Sequence, residues 1–211
     1  NVPDYDGFQA TSTALRMAGR LTGRRRILVP ASMSRDKRSR ILDYVAGALE
    51  VEEVPWEPTT GLLDLGALGR ALGNDVAAVL VENPTCLGVV EVRASAIAEL
   101  AHAAGALAIG DVDPSTLSVL APPAAWGADL ACGDIQPLGI HQQYGGGNGG
   151  FIASHDDPRV VMEFPSRLFG IAPTAVAGEY GFGDVAYERT SFARREEGKE
   201  WVGTAAALWG I

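Results

Sequence analysis

Apolar residues at helical spacing open the chain. Ala10, Ala14, Met17, Ala18 and Leu21 recur every three or four positions and predict a helix over residues 7–22, stopped by Gly23. The run Ile27-Leu28-Val29-Pro30 predicts a short strand. Ser34 is an N-cap for a second helix reaching about Leu49, with Ile41, Leu42, Val45, Ala48 and Leu49 on its apolar face. Residues 51–54 read as a strand that Pro55 ends, and 64–72 as a short helix. The continuously apolar run 76–81 has the pattern of a parallel strand covered on both faces. A helix over 92–104 stopped by Gly105, strands over 106–109, 128–132 and 150–154, and a helix opening at Asp157-Pro158 complete the series.

Strands alternating with helices at this spacing predict an α/β domain. Its sheet should be mostly parallel, with right-handed connections and helices on both faces. In such sheets ligands bind beyond the carboxyl ends of the strands. Three segments take those positions: 81–85, 110–114 and 133–137.

Composition narrows the function classes. The 211 residues are 47% hydrophobic and 20% charged, which fits a packed core and excludes a disordered chain. No apolar run has the length of a membrane span, and no signal peptide opens the sequence. A net charge of −9 and a pI near 4.8 argue against nucleic acid as the main partner. Two cysteines form no disulfide framework, so a reducing, cytoplasmic location is expected. The apolar run 205–211 reads as an interrupted helix. Residues 1–211 are therefore expected to be a single large domain, cut from a longer protein at both ends.

Candidate chemistry is sparse. Gly145-Gly146-Gly147-Asn148-Gly149-Gly150 matches G-x-G-x-x-G, but a strand pattern follows it where a dinucleotide site needs a helix. The remaining readings are a flexible glycine loop, or backbone that comes close to a phosphate or a partner chain. Asp111 and Asp113 are either paired carboxylates for acid–base or cation chemistry, or turn-forming residues before Pro114. Of the three histidines only His141, beside the glycine loop, is placed for function; no metal-ligand spacing exists. Cys86 and Cys132 have no evident activating base. Arg24-Arg25-Arg26 and Arg194-Arg195 read as solvated basic faces, the second equally as a partner-facing segment. Only two lysines occur, Lys37 and Lys199.

An ordered set of motifs then resembles one family across nearly the whole chain. Tyr5-Asp6-Gly7 before the Ala-rich helix resembles Y-D-G-A-T-A. The stretch from Asn83 to Glu91 resembles Y-P-N-F-F-G-V-I-E, and Val112-Asp113-Pro114-Ser115-Thr116-Leu117 resembles V-D-P-x-S-L. Gly127-Ala128-Asp129 through Ile140 is similar to G-A-D-I-V-V-G-E-G-Q-P-L-G-I. Gly145-Gly146 with Gly150-Phe151 fits F-G-G-P-Y-L-G-F, and Phe164 to Gly170 fits M-P-G-R-I-V-G. These are motifs of the N-terminal-half type (subunit 1) of the glycine decarboxylase P-protein of the glycine cleavage system. The chain departs at Gly147-Asn148, where the family has Pro-Tyr, and over 189–203, where only the arginine frame of R-E-Q-H-I-R-R-E-K-A survives.

The resemblance implies a fold-type-I, aminotransferase-like large domain. It implies a complex that decarboxylates glycine on pyridoxal phosphate and passes the aminomethyl group to the lipoyl arm of the H-protein. It places the cofactor lysine on subunit 2, in an N-x-H-K pattern; Pro137 stands at that position here, and a proline has no amine. Neither Lys37 nor Lys199 is expected to take its place. Asp6, where the phosphate-binding helix begins, is expected to cap that helix and repel a phosphate. No catalytic residue is therefore assigned to this chain. Gly145, Gly146 and Gly147 are expected to reach the phosphate held by the partner, with Asn83 and Asp113 as further cofactor contacts. The competing hypothesis is a catalytically inactive interaction or regulatory protein of the same fold, which the changed 189–203 segment favours.

Overall fold

A computed structural model describes residues 2–141, 148–155, 157–164, 169–173, 178 and 180–184. The elements run β1 (Val2–Asp4), α1 (Gly7–Thr22), β2 (Arg26–Pro30), α2 (Arg35–Val45), β3 (Glu50–Val54), α3 (Leu65–Ala71), β4 (Val76–Asn83), α4 (Ala94–Ala103) and β5 (Leu107–Val112). After two 3-10 turns come β6 (Leu130–Asp134), a third 3-10 turn at Gln136–Leu138, β7 (Gly150–Ser154), α5 (Pro158–Met162) and the ribbon β8 (Phe169–Pro173) and β9 (Tyr180–Asp184).

Seven strands form one sheet in the order β1-β7-β6-β5-β4-β2-β3. β3, β2, β4, β5 and β6 are parallel, while β7 and β1 add antiparallel pairs at one edge. The pattern of apolar residues anticipates the parallel block. All eight residues of β4 are buried, as a central strand covered on both faces requires. One face is covered by α1 and α2, where Leu15, Met17 and Ile41 pack on Ile27, Val29, Leu80 and Ile109. The other is covered by α3 and α4, where Leu68, Ile97 and Ala101 meet Leu28, Val79 and Val81. Ala77 and Ala78 both face the α1 side, because the β2–β4 register shifts between Arg26 and Ile27. The alanines of α1 bring its backbone close to the sheet, and each fully buried leucine contributes about 1.5–3 kcal/mol.

Boundaries differ where local chemistry overrides periodicity. The second helix ends at Val45 rather than near Leu49, because Gly47 turns the chain at φ 76°. The Ala48 and Leu49 amides both donate back to the Val45 carbonyl, which keeps Leu49 buried after the helix has stopped. Residues 2–4, ahead of the first predicted helix, pair with β7 as strand β1.

Candidate functional site

The carboxyl ends of β4, β5 and β6 face the start of α1, and the three segments expected there converge. α1 begins at a pair of carboxylates. Asp6 is extended (φ −156°) and its side chain accepts from the Gln9 amide at 2.7 Å. Asp134, at the end of β6, accepts from the Gly7 amide at 3.3 Å and from the Gln136 amide at 2.7 Å. Both carboxylates meet the free N–H groups and the positive end of the helix dipole. Position 7 must be glycine: a Cβ there would lie 2.9 Å from the Asp134 Cβ and 3.0 Å from its amide nitrogen.

Beside this helix start lies a buried ion cluster. Lys37, in the first turn of α2, sends its ammonium into contact with Asp111 Oδ2 and to 3.4 Å from Glu82 Oε1. The side chains of Lys37, Glu82 and Asp111 are only 14%, 8% and 5% exposed. The Thr11 hydroxyl stands 2.9 Å from Asp111 Oδ2 and 2.7 Å from the Gly7 carbonyl, and donates to one or the other. Glu82 Oε2 accepts from the Cys86 amide at 3.1 Å. Burial pulls the Lys37 pKa down, but Asp111 and Glu82 outweigh it and hold the ammonium above its ordinary value. Glu82 is pushed up, first by burial and then by Asp111, against the pull of Lys37.

Lys37 reaches this crevice without being suited to a Schiff base. Its place at a helix start hides the fact that the side chain reaches the crevice. A lysine that forms a Schiff base needs a depressed pKa, and the two carboxylates do the opposite. Asp111 is an ion-pair partner, not a turn residue. Asp113 follows the turn alternative: its Oδ1 accepts from the Ser115 amide at 2.9 Å and the Ser115 hydroxyl at 2.7 Å.

Asn83 is buried with its side chain turned to the main chain of Glu91, accepting from its amide at 3.1 Å and donating to its carbonyl at 3.4 Å. Pro137 is exposed in the 3-10 turn after β6. Gly145, Gly146, Gly147, Lys199, Arg194 and Arg195 and the runs 189–203 and 205–211 lie outside the described residues. His141 is exposed, and His102 pairs with Asp129 at 2.9 Å. Burial pushes both thiols up, and Cys86 Sγ donates to the Ser32 carbonyl, so neither is poised as a nucleophile. Among the described residues no group of three or more His, Cys, Asp or Glu could hold a metal ion, and no helix is long and apolar enough to cross a membrane.

Pyridoxal phosphate needs a helix N-terminus free for its phosphate and an amine free for its aldehyde. Here the α1 N-terminus carries two carboxylates, and Lys37 is locked as an ammonium. The described residues do not fit that group.

Sheet order, helices on both faces and a crevice at the carboxyl edge place the chain in the aminotransferase-like class, fold type I of the pyridoxal-phosphate enzymes. A sphingosine-1-phosphate lyase from Burkholderia pseudomallei shares this fold, with a TM-score of 0.60 and 14% identity over 93% of this chain and 47% of that one. More narrowly, the chain belongs to the glycine cleavage system P-protein family, whose profile matches residues 1–211. It is 36% identical over 214 residues to a probable glycine dehydrogenase (decarboxylating) subunit 1 of Aeropyrum pernix, covering 100% of this chain and 46% of that protein. A protein of the same name from Moorella thermoacetica is 37% identical over 208 residues, covering 98% and 46%. The crystal structure of an inhibitor-bound glycine decarboxylase (P-protein) superposes with a TM-score of 0.72 at 36% identity, over 84% of this chain and 39% of that one. The chain spans less than half the length of these curated relatives.

Proposed function

We propose that this chain is the subunit-1 component of a two-chain, cytoplasmic glycine decarboxylase. Subunit 2 holds pyridoxal phosphate, on which glycine loses its carboxyl group, and the lipoyl arm of the H-protein takes the aminomethyl group. This chain contributes no catalytic residue and completes the site from across the interface. The observation that carries the reading is the start of α1, where Asp6 and Asp134 occupy the N–H groups a phosphate would need. Pro137 at the position of the Schiff-base lysine supports it, as does the 36% identity to a protein named subunit 1.

Co-expression with a subunit 2 that has an intact lysine motif tests the proposal. The assembled pair should catalyse glycine–bicarbonate exchange in the presence of H-protein, and neither chain alone should do so. A pair that assembles but never exchanges would favour the inactive regulatory alternative.

The glycine loop gives a second test. On this reading Gly145, Gly146 and Gly147 approach the phosphate held by the partner, their backbone N–H groups forming an anion-binding concavity. Gly146→Val should leave assembly intact and weaken cofactor binding by about 1–3 kcal/mol, the scale of one or two lost hydrogen bonds to a charged group. The comparison is cofactor affinity of the assembled complex with and without the change; equal affinities would make the loop only a structural turn.

A further inference from the structure

A different feature lies at the opposite edge of the sheet from the Lys37 cluster. The last turns of α1 and the approach to β2 border a cavity of about 250 Å³. Arg16, Arg20, Arg24 and Arg25 line it, with Leu49 and Ala48 as an apolar wall. Arg16, Gly19, Arg20 and Gly23 follow one another along one helix face. Gly23 leaves open space beside the arginine stems, while Leu49 packs onto Gly19, its Cδ2 2.6 Å from where a Cβ would stand.

The arginines are unequally neutralised. Arg20 pairs with Glu163, Nε to Oε2 at 2.5 Å. The other three have no carboxylate partner among the described residues. Arg24 Nη1 donates to the carbonyls of Val76 and Ala104, both at 2.9 Å. Arg25 Nη2 donates to the Gly47 carbonyl at 3.0 Å. The Arg16 guanidinium stands over the Tyr44 ring, 5.5 Å from its centroid. Each guanidinium has five N–H donors and stays charged, so all three keep donors in reserve. The carboxyl terminus of α1 accounts for one nearby cation. It does not account for three arginines without carboxylate partners among the described residues that line one hollow, in a chain of net charge −9.

We infer that this cavity is a binding site for a small organic phosphate. Guanidinium forks take phosphate oxygens bidentately, while Leu49 and Ala48 take the apolar part of the molecule. The site is independent of the glycine reading, because it shares no residue with the carboxyl-edge crevice.

The test is calorimetric titration of the full-length chain with pyrophosphate at constant ionic strength. Saturable single-site binding is expected. The double variant R16Q/R25Q should weaken it by about tenfold or more, the scale of a lost charge-assisted hydrogen bond. R159Q serves as the control, because Arg159 is exposed and already engaged with Asp157; it should change nothing. Absence of saturable binding, equal binding by R16Q/R25Q, or an equal loss in R159Q would each overturn the assignment.

Discussion

Lys37→Met should lower the stability of the chain by about 3–5 kcal/mol, the cost of leaving buried charge without its partner. Lys37 is the cation of a cluster with two carboxylates, Asp111 and Glu82, each less than a tenth exposed. A methionine fills much the same space, so the loss is electrostatic rather than a cavity. The double variant Lys37→Met/Asp111→Asn should recover much of the loss, because one orphaned charge goes with the lysine. Denaturant unfolding of both variants checks this, and a single variant within about 1 kcal/mol of the parent would mean that water solvates the cluster.

The pH dependence has a definite sign. The folded pKa of Lys37 is raised, so its stabilisation is fully present below the unfolded value of about 10.4 and disappears only as pH rises through the folded one. The folded pKa of Glu82 is also raised, so its burial costs stability above the unfolded value of about 4.3 and costs nothing well below it. Without Lys37 the upward push on Glu82 grows. The deficit of Lys37→Met should therefore shrink as pH falls from neutral into the acid range.

Gly133→Ala should cost about 3 kcal/mol, the upper end of ordinary overpacking. Gly133 lies in β6 beside the end of β5, and a Cβ there would fall 2.0 Å from the Val112 carbonyl oxygen. That oxygen has little room to retreat, because Val112 is in register with Asn83 on the other side. The strand ends that carry Asp111 and Asp134 would have to part. Gly69→Ala is the contrasting case: the position is exposed in α3 with nothing within 4 Å of the added carbon. It should gain about 0.5–1 kcal/mol from helix propensity. Paired unfolding curves separate the two outcomes.

Much of this architecture could be read from residue pattern. The apolar run at 76–81 marked the central strand, the spacing of Ala10, Ala14 and Met17 marked α1, and Asp6 was legible as its cap. The cluster was not. Lys37 and Asp111 are 74 positions apart and meet only because α2 begins beside the ends of β4 and β5. Local pattern carries no such information. Glu82 did leave a trace, as a lone acid closing a run of apolar residues, and Asp134 another, as an acid at the end of the last parallel strand. Asp113 shows the opposite case: a carboxylate before Pro114 engages its own turn, which short-range chemistry predicts. Strand β1 escaped notice because three residues at an antiparallel edge are too few for a period to show.

The central claim is that this chain is the half of the enzyme that holds no cofactor. Borohydride reduction of the assembled two-chain complex, followed by mass mapping of the phosphopyridoxyl label, tests it most directly. The account predicts one label on a lysine of the partner subunit and none on this chain. A label on Lys37 or Lys199, in a complex that turns over glycine, would contradict it.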